Sequence, residues 1–339
     1  MRVLQVMASG LHGGAELFYE DLVPALAAAG LEQSAVIRRY PTRAALLEAA
    51  GVPATMLRFG GPLDFLTPLH LRGAARAARP DLVMGWMNRA CRSLPKGPWV
   101  NVGRLGGYYD LKYYHRCAQL ICNTPDIRDY VIREGRRADA VHYIPNFCPV
   151  RDEAAVDRDA LGGADAKVLL VLARLQPAKG IDVALRALTH IKDAVLWIAG
   201  DGPEESRLKR LAQDLKLGSR VRFLGWRDDR SALLKAADVC LVPSRHEPFG
   251  NVVLNAWSHG VPLVAAASQG PGYLVRDGED GLLAPVDDPV ALAARVTEIL
   301  QDGARARRLV AGGLQRTAAE FSEAAVVARY LAVYRAILG

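Results

Sequence analysis

Arg174 and Lys179 stand five residues apart in ARLQPAKG, where an apolar strand-like run gives way to a helical one. Two cations beside a helix N-terminus can hold and neutralise a diphosphate. Further on, AGDGPEE (Ala199–Glu205) repeats the pattern of strand, glycine turn and helix. Gly200 and Gly202 permit a tight turn and close backbone approach, but the third glycine of a dinucleotide fingerprint is missing. FLGWRDD (Phe223–Asp229) ends another strand on a glycine and Trp226, an indole able to wall a nucleobase pocket. The most specific stretch is PSRHEPFGNVVLNAWSHGVPLVA (Pro243–Ala265). Here Glu247 precedes a helix whose first turn holds Gly250, Asn251 and Val252, and backbone N–H groups at such a turn can cradle a phosphate. Glu247 can accept hydrogen bonds from sugar hydroxyls. Asn255, eight residues on, lies a little over two turns along the helix, on a similar side. Taken singly, each segment also reads as ordinary structure: solvated loop cations, a packing indole, a plain turn.

Residues so placed need a scaffold that brings several strand ends together. The chain repeats short apolar strand, turn and amphipathic helix, which predicts parallel sheets covered on both faces. In the first half the strands are expected over 2–7, 34–38, 54–57, 81–84, 99–102, 120–123 and 141–144, with helices over 15–29, 66–78 and 126–134. The pattern pauses over the polar, charged stretch 148–167, read as a linker with one short helix. It then restarts with strands over 168–173, 195–199, 221–224, 239–243 and 262–265, and closes on an amphipathic helix over 324–338. The expected fold is α/β, with two doubly wound Rossmann-like domains. Residues 1–150 form the first, 151–165 the linker, 166–320 the second domain, and 321–339 a terminal helix. Strand ends in such folds face a shared crevice where ligands bind.

The bulk numbers agree with this and exclude other classes. A chain of 339 residues suits two domains, and 51% hydrophobic with 23% charged residues is ordinary for a globular protein. No apolar run approaches the ~18–20 residues of a membrane span. The opening MRVLQVMAS reads as a strand rather than a secretion signal. Five cysteines without a CxxC pair read as reduced, mostly buried thiols, and with the rest suggest a cytoplasmic protein. The net charge of +7 is uneven: residues 1–150 hold 18 Lys and Arg against 12 Asp and Glu. A basic first half points to an anionic partner such as a membrane surface or a phosphorylated acceptor. Nucleic acid is not expected, because basic tails, zinc-finger spacing and RNA-binding aromatic signatures are all missing.

The motifs together resemble the retaining glycosyltransferases of the GT-B fold, in the large family 4 that includes many lipopolysaccharide and exopolysaccharide sugar transferases. The resemblance runs through most of the chain. It rests on GGAE (Gly13–Glu16) after the first strand, IPN (Ile144–Asn146) before the linker, R-x4-K-G, GDGP, FLGW and EPFGNVVLNAW, in that order and spacing. It implies that Arg174 and Lys179 bind the donor pyrophosphate and that Glu247 contacts the transferred sugar. Backbone groups of Phe249, Gly250, Asn251 and Val252 would hold sugar hydroxyls and the distal phosphate. Gly13 and Gly14, with Glu16 beside them, belong to the first-domain loop that meets phosphate and acceptor in a central cleft. The terminal helix is expected to cross back onto the first domain. No cofactor or metal is implied, since no DxD-like acidic pair stands in a matching place and the cations substitute for one.

Two positions depart from the family pattern. The second acid of E-x7-E, which grips the ribose hydroxyls, is Asn255 here. Where many relatives place a His after the strand at 99–102, this chain has Arg104, which cannot act as a base near neutral pH but can orient a phosphate or hydroxyl. His246 neighbours Glu247 and reads as structural. The implied donor is a UDP- or GDP-sugar. The implied acceptor is an anionic envelope glycolipid or polysaccharide intermediate, with peripheral contact to the inner face of the plasma membrane through the first domain. Two alternatives share the architecture: a non-catalytic nucleotide-sugar-binding homologue and a nucleotide-sugar 2-epimerase. The second needs an acid–base carboxylate pair that the sequence does not offer. A dehydrogenase is disfavoured by the broken glycine fingerprint.

Overall fold

The computed structural model describes every residue except 11, 12, 61–63, 65 and 164. The chain forms two compact units, one of Met1–Phe147 with Ser322–Gly339 and one of Cys148–Phe321.

In the first unit seven parallel strands form one sheet: β1 (Arg2–Met7), β2 (Glu32–Arg38), β3 (Ala54–Leu57), β4 (Leu82–Trp86), β5 (Val100–Leu105), β6 (Gln119–Cys122) and β7 (Val141–Tyr143). Their order is β3-β2-β1-β4-β5-β6-β7, so the winding reverses between β1 and β4. Near-continuous burial of β1 and β4 explains why these strands read as apolar runs rather than alternating ones. The polar exception is Gln5 in β1. It donates to Gln33 Oε1 and accepts from the Trp86 indole, both at 2.9 Å, so its burial leaves no orphan amide. The C-terminal helix Glu323–Leu338 buries Val326, Val327, Tyr330 and Tyr334 in this unit's core. The end of the chain therefore returns to the first domain, as the resemblance implied.

In the second unit six parallel strands follow: β8 (Lys167–Leu172), β9 (Ala194–Ala199), β10 (Val221–Gly225), β11 (Val239–Val242), β12 (Leu263–Ala266) and β13 (Leu282–Ala284). The order β10-β9-β8-β11-β12-β13 reverses between β8 and β11. β13 is absent from the sequence reading, because three residues between charged turns give no periodicity to detect.

The stretch read as a linker is tied down along the second unit. Val156 N–H donates to the Ala232 carbonyl at 3.2 Å, and Arg158 donates to the Ala236 carbonyl at 2.8 Å and pairs with Asp238. The expected short helix is not seen among its described residues, which form a turn over 158–162.

Candidate functional site

Most of the sequence-marked residues of the second unit sit in segments that leave the carboxyl ends of its strands, and Asn251, Val252 and Asn255 lie in the helix that follows β11. The β8 loop carries Arg174 and Lys179, the β9 loop Gly200 and Gly202, the β10 loop Trp226, and the β11 loop Glu247 to Gly250. Loops leaving β8 and β11 diverge at the reversal point, where doubly wound sheets open a ligand crevice. Lys179 Nζ donates to Glu247 Oε2 at 2.6 Å across that divide. The two side chains are 22% and 17% exposed, so the pair is partly shielded yet reachable. Arg174 is half-buried, and among the described residues no carboxylate pairs with it.

Glycines set the spacing of these loops. A Cβ on Gly200 would lie 1.9 Å from the Ala173 carbonyl oxygen, and one on Gly202 would lie 2.5 Å from that of Leu175. Both have φ near +150°, outside what L side chains favour. The close approach allows Leu175 N–H to donate to the Asp201 carbonyl at 2.7 Å and Glu204 N–H to the Leu175 carbonyl at 3.1 Å. Gly200 N–H in turn donates to the Gly225 carbonyl at 2.7 Å, which fixes the start of the Trp226 loop. Trp226 is half-buried, its indole N–H held by Asp228 at 2.8 Å.

Gly250 takes φ +102° as the N-cap of the helix Asn251–Ser258, and as a glycine it brings no side chain of its own to cap that terminus. Phe249 is buried, as is Asn255 at 9% exposure, while Val252 is half-buried. His246 N–H donates to the Ala178 carbonyl at 3.1 Å, so that residue stitches the β11 loop to the β8 loop through its backbone.

Three further residues position these loops, and none of them is assigned a role in the chemistry from the sequence alone. A Cβ on Gly180 would lie 2.0 Å from the Pro243 carbonyl oxygen, so the backbone after Lys179 can approach the β11 loop only as glycine. Gly270 N–H donates to the Glu247 carbonyl at 2.7 Å, and a Cβ there would strike the Phe249 carbonyl. Arg245 forks both oxygens of Asp182 at 2.8 Å and donates to the Pro177 carbonyl at 2.8 Å. That hydrogen-bonded guanidinium holds the Asp182 carboxyl below the usual range. Only the glycine in R-x4-K-G hinted at any of the three, because a close approach between distant loops has no sequence period.

In the first unit Gly13 caps the helix Gly14–Ala28 in extended geometry, and the nearly buried Glu16 carboxylate folds back beside it. Arg104, read from the sequence as able to orient a phosphate or hydroxyl, is a buried residue. It is 2% exposed, with its guanidinium carbon 4.7 Å from the Phe18 ring centroid and 4.8 Å from that of Trp86. Its Nε donates to Tyr330 Oη at 3.1 Å, and Nη2 donates to Asn146 Oδ1. The cation is enclosed by aromatic faces and gives one donor to the C-terminal helix and one to the IPN motif. Among the described residues no group of three or more His, Cys, Asp or Glu is disposed to hold a metal ion.

The signature of the family described as "Glycosyl transferases group 1" matches residues 156–316. The chain is 37% identical over 327 residues to the lipopolysaccharide core biosynthesis glycosyltransferase LpsE of Rhizobium meliloti (strain 1021), covering 95% of this chain and 96% of that one. It is 35% identical over 329 residues to LpsD of the same strain, covering 96% of each. Among solved structures, Anabaena HepE in complex with UDP and glucose aligns at a TM-score of 0.87 with 23% identity, over 99% of this chain and 100% of that one.

Proposed function

We propose that this chain, which belongs to the glycosyl transferases of group 1, the family 4 retaining enzymes of GT-B fold, draws its sugar from a UDP-linked donor. The observation that carries the donor site is the Lys179–Glu247 pair across the β8–β11 reversal, with Arg174 beside it in the same loop. The choice of UDP is favoured by the fold shared with structures that hold UDP and UDP-glucose. A pyrophosphate entering there competes for Lys179 and releases Glu247 to accept from the sugar hydroxyls. Asn255 faces the ribose as a neutral acceptor, which costs affinity: hydrogen bonds to charged groups contribute roughly 1.5–3 kcal/mol and neutral ones about 0.5–1.5.

The chemistry follows from where charge develops. The bond from the anomeric carbon to the phosphate oxygen breaks, and the acceptor hydroxyl approaches on the same face. A new glycosidic bond forms there with retention, and the hydroxyl proton passes to the departing phosphate. No protein base is required, which accords with a buried Arg104 at the family's His position. Arg174, Lys179 and the helix N-terminus at Gly250 stabilise the growing charge on the diphosphate, in place of a metal.

The acceptor is an envelope glycolipid or polysaccharide intermediate bound by the first unit, a reading supported by the two lipopolysaccharide-core relatives and by the basic balance of residues 1–150. We place the enzyme at the inner face of the membrane, held peripherally. Salt-sensitive sedimentation with anionic vesicles tests that, and indifference to lipid charge refutes it.

A thermal-shift titration with UDP, GDP and ADP tests the donor. UDP should raise the melting midpoint in a graded way, since a ligand that binds only the folded state stabilises it by mass action. A shift with GDP and none with UDP would overturn the assignment.

A further inference from the structure

The first unit holds a cavity of about 410 Å³ at the carboxyl ends of β1 and β4, where its own strand order reverses. That volume falls within the ~300–1,000 Å³ of small-ligand sites. None of the motif residues lines it. Its walls carry Arg38, Asn88, Arg89, Arg92, Tyr109 and Tyr113. Among the described residues none of the three arginines is paired with a carboxylate, and Arg89 reaches only the Phe59 carbonyl, at 3.5 Å. Three guanidinium groups around one hollow repel each other, and an anion placed among them relieves that repulsion with charge-assisted hydrogen bonds.

Two further features mark the cavity as built for a ligand. Among the described residues the side-chain amide oxygen of Asn88 is buried without a hydrogen-bond partner, a state native proteins rarely leave uncompensated. Met87, also in the wall, is held at φ +64°, and a non-glycine residue persists there only when its surroundings enforce it. Tyr109 and Tyr113 supply flat aromatic faces on which the C–H face of a pyranose ring can pack.

We infer that this cavity binds the acceptor and selects a sugar unit bearing an anionic group, a carboxylate or a phosphate monoester. Arg38, Arg89 and Arg92 take the anion, Asn88 accepts from a ring hydroxyl, and the tyrosines carry the ring. This rests on the reading of the first unit as the acceptor-binding half.

Isothermal titration of the full chain with glucuronic acid, glucose 6-phosphate, glucose and inorganic phosphate tests it. Both acidic sugars should bind about tenfold or more tightly than glucose. That preference should vanish in the Arg89→Gln, Arg92→Gln double variant, whose altered side chains are exposed and free of core packing. Equal binding of glucose, or no binding of either acidic sugar, overturns the inference. Inorganic phosphate binding as tightly as glucose 6-phosphate also overturns it, by making the cavity a bare phosphate site. UDP titrated separately reports on the donor reading, so failure of one is told from failure of the other.

Discussion

At the residue scale the candidate chemistry depends on two cations and one carboxylate that were legible because they sit in fixed-spacing motifs. Lys179 and Glu247 are 68 residues apart and meet at 2.6 Å. If Lys179 neutralises the leaving diphosphate, Lys179→Ala should lower kcat by roughly 10²–10³, the range for removing one donor aimed at developing charge. The melting midpoint should change little, because the pair is partly solvated. Unchanged turnover would remove Lys179 from the site. The wild-type enzyme should transfer at full rate in EDTA, and activity lost there but restored by magnesium or manganese would refute cation-for-metal substitution. Arg104 was equally visible in the sequence, yet its role was not. Whether an arginine faces solvent or lies between Phe18 and Trp86 depends on helices far away in the chain.

At the element scale the site is a set of loops whose separation glycines fix. Gly200 and Gly202 were noticed as turn residues, but their greater task is to let the β9 loop touch the β8 loop that carries Arg174. Gly200→Ala would force a Cβ to 1.9 Å from the Ala173 carbonyl oxygen, so we expect at least about 2 kcal/mol of destabilisation in urea unfolding. Gly218 is the control, with φ +52° and no atom within 4 Å of where a Cβ would stand. Gly218→Ala should cost only about 1–2 kcal/mol, the left-handed penalty alone. Equal losses from the two variants would mean that loop approach contributes nothing. Strands and helices were largely readable because burial on both faces makes parallel strands apolar. The short β13 and the tied-down stretch 148–166 were not, since neither carries a period.

At the scale of the whole molecule, the chain ends where it began. The C-terminal helix completes the core of the first unit, and Tyr330 both fills that core and accepts from Arg104. Tyr330→Ala should destabilise the first unit by roughly 3–5 kcal/mol, the cost of a large cavity in a core, compounded by an arginine left short of a partner. The UDP response of the second unit should survive, and loss of both together would show that the units do not melt separately. The sequence by itself determined the two-domain parallel architecture and the family, and it singled out Arg174, Lys179 and Glu247 as candidates, because periodicity and local motif spacing are written along the chain. Only the tertiary structure decided that Lys179 and Glu247 pair, that Arg104 braces the terminal helix, and that three arginines and two tyrosines surround one cavity. Those are proximities between residues tens to hundreds of positions apart, and burial and electrostatic pairing are set by distance in space, which no local pattern encodes.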